Sequence, residues 1–441
     1  MPRLVAAALA LLLATPQPLP HSTPRGPVRV SGRAVADDRG EFPALGASLF
    51  WAAWAFKHDR ARLDSHLQVL ADHRFDYIRA LGVVGRQPYW AGREIDWRWP
   101  DYDAVIAGLT DHAYDTYGIR IQWTIFGDAD QVIPDHADRL ALVDRFVRMS
   151  RGREHKIIHF EIANESWQNG FGEPDGIGRL RQLARHLSTQ TEIPIALSDS
   201  YGHECADHLA LYAGAEAEIQ TEHFARDVEG PLRQWGAVFQ PWRLQECSGL
   251  PAVVSSNEPI GPRSSVASDS DPFRIVAAAI VSYLSGVGLY VLHTDAGVFG
   301  REPLTSMPDA GAILAGLAAM KGYLPSDLPN WTRHRHDTPG HPFVVFSGTR
   351  RDAVRTDLSG DGPAEVFASV KGDRFFAAAA GTINEITLEA RRPMIVEVLH
   401  PLTGAVLERR TLPAGGRIQP RPLPLLVLSG TFTDAERAGG L

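Results

Sequence analysis

The sequence predicts an α/β fold, a (β/α)8 TIM barrel followed by a C-terminal all-β sandwich. Three observations carry this. Between residues 44 and 320, apolar strand-like runs alternate eight times with amphipathic helical stretches, and such alternation implies parallel pairing. Eight units in roughly 280 residues match a closed barrel, and no Gly-rich phosphate loop argues for an open sheet. After Leu324-Pro325 the helical pattern stops, and short apolar runs separated by Gly, Pro and Asp follow, as in a sandwich.

In chain order, residues 28–48 form a lead-in hairpin turning at Asp37-Asp38-Arg39-Gly40. Barrel strands are expected at 44–50, 77–81, 120–126, 157–163, 194–198, 218–222, 252–255 and 289–293. The intervening helices are expected at 59–72, 102–117, 136–149, 177–187, 206–212, 232–245, 272–284 and 310–320. Leu63, Leu67 and Leu70 share one helical face, and Gly118 stops the second helix. Sandwich strands are expected at 343–347, 365–370, 374–380, 385–388, 394–399, 406–411 and 425–428. The resulting divisions are a leader (1–27), the barrel with its hairpin (28–325), the sandwich (326–432) and a tail (433–441). The junction Trp331-Thr332-Arg333-His334 lacks a Gly/Ser run and reads as packed rather than flexible.

The 441-residue chain carries a net charge of −8. It has no basic stripe, which excludes nucleic acid as an expected partner. Arg3 followed by the apolar run Leu4 to Ala14 and a Pro-rich stretch reads as a signal peptide, too short to span a bilayer. A secreted or periplasmic protein is expected, monomeric and without a membrane anchor after cleavage. Cys205 and Cys247 are expected to stay unpaired, because one would lie near the top of the barrel and the other near the bottom.

Catalytic side chains of a barrel sit at the C-terminal ends of its strands. Two Asn-Glu dipeptides stand there: Asn164-Glu165 ends the fourth strand and Asn257-Glu258 the seventh. Both carboxylates therefore face one cleft, the equipment for cleaving glycosidic bonds. A third dipeptide, Asn384-Glu385, begins a sandwich strand and reads as turn chemistry. Glu161 shares strand parity with Glu165 and is expected to be buried against an Arg. Glu222 and Asp295 compete with Glu258 for its role. Trp51, Trp54, Trp90, Trp97, Trp99 and Trp167 fall on top-face loops where rings can stack on sugars. Trp54 and Trp167 are the favoured contacts, and at least half of the six are expected to be packing residues. Asp357 to Gly362 lacks the spacing of a calcium loop, and no metal or cofactor is required.

The chain resembles a clan A glycoside hydrolase of the family-5 cellulase and mannanase type, over about residues 28 to 325. The resemblance rests chiefly on Phe160-Glu161-Ile162-Ala163-Asn164-Glu165, supported by Phe75-Asp76-Tyr77-Ile78-Arg79, the lead-in hairpin, and Glu222-His223 on the sixth strand. It implies that Glu165 is the acid/base, Asn164 a ligand of the sugar 2-hydroxyl, Arg79 a support of the nucleophile, Glu258 that nucleophile, and His223 a site residue. The sequence departs from the family at Asn257 and Pro259, which flank Glu258, and at His293-Thr294-Asp295, where a Trp commonly floors the cleft. His293 and Asp295 are candidate substrate contacts. The expected activity is retaining hydrolysis of β-glycosidic bonds in a poly- or oligosaccharide. A carbohydrate-binding barrel without catalysis and a transglycosylase are the alternatives.

Overall fold

The structure is a computed structural model that describes residues 25–433 except 87–89, 91, 201–203, 225–233, 245–246, 264–268, 336–337, 349–364 and 382–384. The leader up to residue 24, the Asp357 to Gly362 turn, Asn384 and the tail beyond residue 433 lie outside the described residues.

A three-stranded antiparallel sheet comes first: β1 (Arg29–Ser31), β2 (Ala34–Asp37) and β3 (Gly40–Phe42). Eight parallel strands then close into a barrel. They are β4 (Ala44–Ser48), β5 (Tyr77–Leu81), β6 (Arg120–Phe126), β7 (Ile157–Ala163), β8 (Ile195–Ala196), β9 (Ile219–Glu222), β10 (Val253–Ser256) and β11 (Leu289–Leu292). Each expected barrel strand is present, the fifth shortened to two residues. A short helix, Ala52–His58, precedes the expected one after β4.

The lead-in sheet fixes which end of the barrel is open. Its Val28 and Val35 pack with Ala44, Tyr77, Ile158, Ala196, Ile219, Val253, Leu289 and Val291 in one apolar cluster. Ala44, Tyr77, Ile158, Ile219, Val253 and Leu289 lie at the N-terminal ends of their strands, so the cluster plugs the bottom. Arg120 at the start of β6 donates to Asp37 Oδ2 at 2.9 Å and locks the plug in place. The C-terminal rim is left for the site.

Two antiparallel sheets follow. Six strands pair in the order β12 (Thr332–His334), β14 (Glu365–Lys371), β15 (Arg374–Ala380), β20 (Leu425–Phe432), β17 (Met394–Leu399), β18 (Val406–Leu412). Three more pair as β13 (Phe343–Gly348), β16 (Ile386–Ala390), β19 (Arg417–Ile418). The near-continuous apolar runs of β15 and β20 have a direct cause. Phe375, Ala377, Ala379, Leu426 and Leu428 face the small sheet, while Phe376, Ala378, Ala380, Leu425 and Val427 join the core of the barrel's helical layer. A strand covered on both faces has no polar side to show. Ser369 also donates to Leu284 O at 3.1 Å across this junction. Among the described residues no helix is long and apolar enough to cross a membrane.

The expectation of unpaired cysteines is overturned. Cys205 and Cys247 form a disulfide, with Cα atoms 5.4 Å apart. The argument from barrel height fails because the fifth unit is short: β8 has two residues, and the helix Cys205–Tyr212 only eight. The chain after the sixth-unit helix runs against that short helix, so that a Cβ on Gly249 would sit 3.3 Å from Leu209 Cδ2.

The bridge closes a sequence separation of 42 residues, which chain entropy values at about 4 kcal/mol. Reduction, or the Cys205→Ser/Cys247→Ser pair, should lower unfolding stability by roughly 2–4 kcal/mol in denaturant titrations. An unchanged midpoint would show that the bridge does not form.

Candidate functional site

The centre of the site is Arg79, in the middle of β5 and fully buried. Its Nε and Nη2 donate to Glu161 Oε2 at 3.1 and 2.9 Å, Nη2 donates to Asn164 Oδ1 at 2.7 Å, and Nη1 donates to Glu258 Oε1 at 2.8 Å. Burial works against its charge, but Glu161 and Glu258 outweigh this and raise its pKa. The expected burial of Glu161 against an Arg is what the structure shows. Glu161 is also held by Thr124 Oγ1, by Gln122 at 3.3 Å, by Thr221 Oγ1 at 2.8 Å and by Asn257 Nδ2 at 2.8 Å. Burial alone would raise the Glu161 pKa; Arg79 and the Thr124 hydroxyl bring it below the usual carboxylate value.

Asn164 and Glu165 follow β7. Arg79 takes the Asn164 Oδ1, which turns the amide NH2 away from it. Glu165 has φ = +38°, a left-handed conformation that costs a non-glycine residue roughly 1–3 kcal/mol and is retained where surrounding structure enforces it. The turn lifts the Glu165 side chain to the rim, where Gln168 Nε2 donates to Oε2 and His223 Nδ1 lies 3.3 Å from Oε1. Glu258 lies two residues beyond β10 and is 5% exposed. Besides Arg79, its Oε1 faces His223 Nε2 at 3.8 Å and its Oε2 faces His293 Nε2 at 3.7 Å. His293 is itself fixed by Ser48 Oγ at 2.9 Å from Nδ1.

His223 thus stands between the two carboxylates. One oxygen of each and a ring nitrogen all lie within 4.8 Å of one another. Burial would discharge His223; Glu258, Asp199 and Glu165 overcome this and raise its pKa to about 9.

The other expected residues are placed less uniformly. Glu222 cannot compete with Glu258. Successive strand residues point to opposite faces: Thr221 bonds Glu161 inside the barrel, while Glu222 turns outward to His208 on the neighbouring helix, 2.7 Å away. Asp295 opens the short helix Asp295–Phe299 and, among the described residues, bonds neither carboxylate. Trp54 sits between His58 and Arg93, with no contact to either carboxylate among the described residues. Trp51, Trp90 and Trp97 spend their indole N–H groups on Ala296 O, Asp128 and Val132 O, as packing residues do. Of the six tryptophans only Trp167 is exposed, at 37%.

Sequence reasoning missed Asp199, which is 3% exposed and accepts the His223 backbone N–H at 3.0 Å. The rule that found Glu165, an acid just past a barrel strand, would also have found it. Asp199, His208 and Glu222 bring three ligand-type atoms within 4.8 Å of one another, as do Glu165, His223 and Glu258. Within these sets His208 pairs with Glu222 at 2.7 Å and His223 with Glu165 at 3.3 Å.

No family model and no curated protein matches the sequence. Solved structures do. One described as a glycoside hydrolase aligns over 93% of this chain and 97% of its own length, with TM-score 0.66 and 11% identity. A family-5 glycoside hydrolase from Bacteroides vulgatus aligns over 93% and 94%, with TM-score 0.64 and 11% identity. The chain is similar in fold to clan A glycoside hydrolases of the family-5 type. The likeness spans barrel and sandwich together.

Two outcomes follow from these charges. Arg79→Met should destabilise the protein by about 3–5 kcal/mol, because Glu161 and Glu258 lose their shared cation inside the barrel; a denaturation curve within about 1 kcal/mol of wild type would refute the role given to Arg79. The His223 pKa rises from 6.5 unfolded to about 9 folded, so its contribution is complete below pH 6.5 and lost as pH rises through about 9. Melting temperature should therefore fall across that window more in wild type than in His223→Gln, and parallel slopes would contradict the shift.

Proposed function

We propose that the protein is an exported retaining glycoside hydrolase that cleaves β-glycosidic bonds of a poly- or oligosaccharide. The observation that carries this reading is the spacing of the two carboxylates. Oxygens of Glu165 and Glu258 lie within 4.8 Å of each other. Retaining enzymes place their carboxyl groups about 5–5.5 Å apart, whereas inverting enzymes leave about 6.5–9.5 Å for a water. Export rests on the N-terminal apolar run and Pro-rich stretch.

In this reading Glu258 attacks the anomeric carbon while Glu165 gives its proton to the departing glycosidic oxygen. The bond from sugar to leaving group breaks as the bond to Glu258 forms. Water then attacks the same carbon, Glu165 takes its proton, and Glu258 leaves. Arg79, 2.8 Å from Glu258 Oε1, keeps the nucleophile ionised. With its Oδ1 held by Arg79, Asn164 has its NH2 to donate to the sugar 2-hydroxyl, and Trp167 offers a ring face for stacking. Glu165 is well placed for a group that must reach both leaving group and water, being less enclosed than Glu258, with side-chain exposures of 21% and 6%. The presence of both carboxylates favours catalysis over a merely sugar-binding barrel. The sandwich, sharing a core with the barrel, is read as a cover for its flank.

A panel of aryl β-glycosides and plant polysaccharides should reveal a substrate whose first product keeps the β-anomeric configuration by NMR. Glu258→Ala should abolish turnover with the fold intact, and Glu165→Ala should lower kcat by about 10²–10⁴-fold. Unchanged turnover in Glu258→Ala, or an inverted first product, would sink the assignment.

A further inference from the structure

We propose that Asp199 is a positioning residue for the reaction, holding His223 as a bridge between Glu165 and Glu258; this rests on the reading of those two as the reacting carboxylates. Asp199 follows β8 and faces the same His223 ring nitrogen, Nδ1, as Glu165. Its Oδ1 accepts the His223 backbone N–H at 3.0 Å, and its Oδ2 lies 3.8 Å from the ring Nδ1. The residue before it does the matching task for the other partner: Ser198 Oγ accepts the backbone N–H of Ser166, next to Glu165, at 2.9 Å. Two consecutive residues thus fix both the His223 backbone and the turn that carries Glu165.

The ring itself needs this help. Its Nδ1 reaches Glu165 at 3.3 Å, while the buried Nε2 has no hydrogen-bond partner among the described residues and faces Glu258 at 3.8 Å. A carboxylate on the Nδ1 side favours the doubly protonated ring and the orientation that presents Nε2–H to Glu258. The other groups that face this arrangement are Glu161 beneath, Arg79 and His293 against Glu258, and the His208–Glu222 pair behind Asp199. Burial, with Glu222 adding to it, raises the Asp199 pKa to about 7 against the pull of His223.

Asp199→Asn keeps an acceptor for the backbone N–H and removes the charge. Histidine side-chain NMR should show the His223 midpoint falling by about one unit or more. On any substrate cleaved, the alkaline limb of kcat should move down by the same amount while KM changes little. Asp199→Glu should return the midpoint toward the wild-type value. A His223 midpoint and pH profile unchanged in a folded Asp199→Asn would overturn the proposal. If that variant does not fold, Asp199→Ser takes its place, and failure of both to fold would make Asp199 a structural residue and overturn the proposal equally. The NMR titration needs no substrate, so a protein that cleaved no glycoside would refute the proposed function while this measurement still decided the role of Asp199.

Discussion

A single buried cation, Arg79, is what the rest of the site depends on. An isolated guanidinium inside a barrel is untenable, so its partners must arrive together and in register. Glu161 and Asn164 come from β7 and the residue after it, and Glu258 from the end of β10. Strands on opposite sides of the barrel are thereby held to one geometry. Glu161 extends the constraint, since its other donors come from β6, β9 and the segment after β10. Barrel closure and site geometry are one condition, satisfied by the same hydrogen bonds.

Above this layer the charges alternate. Glu258 lies between Arg79, His223 and His293, and His223 lies between Glu258, Glu165 and Asp199. Neutralising neighbours let two carboxylates approach within 4.8 Å without forcing either out into water. Below it, the apolar plug made with Val28 and Val35 keeps water from the other end. The sandwich works further out, burying Phe376 and Val427 against the barrel's helical layer.

What could be read from the sequence was whatever periodicity or strand counting determines. The barrel was legible because its strand and helix periods alternate cleanly. Glu165 and Glu258 followed from strand ends, and the burial of Glu161 from parity with Glu165. The same parity separates Glu222 from His223, once β9 is known to end at Glu222. The disulfide was not legible, because it depends on how a two-residue strand and an eight-residue helix shorten the fifth unit. The position of Trp54 was not legible for a related reason: the unexpected helix Ala52–His58 carries it to His58 and Arg93. Asp199, directly after the expected fifth strand, was open to the same strand-end rule; only its pairing with His223 needed the structure.

The departures from the family-5 pattern now have a common physical meaning. Asn257 precedes Glu258 and spends its amide on Glu161 Oε1 at 2.8 Å, so it serves the buried charge layer rather than the cleft. His293 stands where a Trp commonly floors the cleft, and it is tied to Ser48 and directed at Glu258 Oε2. An imidazole offers a smaller ring face than an indole, and this one is 1% exposed. In the proposed reaction, this leaves less ring surface for stacking beneath the sugar. What the site gains is a second histidine beside Glu258. Recognition in the proposed reaction therefore shifts from an aromatic floor toward hydrogen bonding around the nucleophile, with the exposed Trp167, two residues after Glu165, offering an aromatic face.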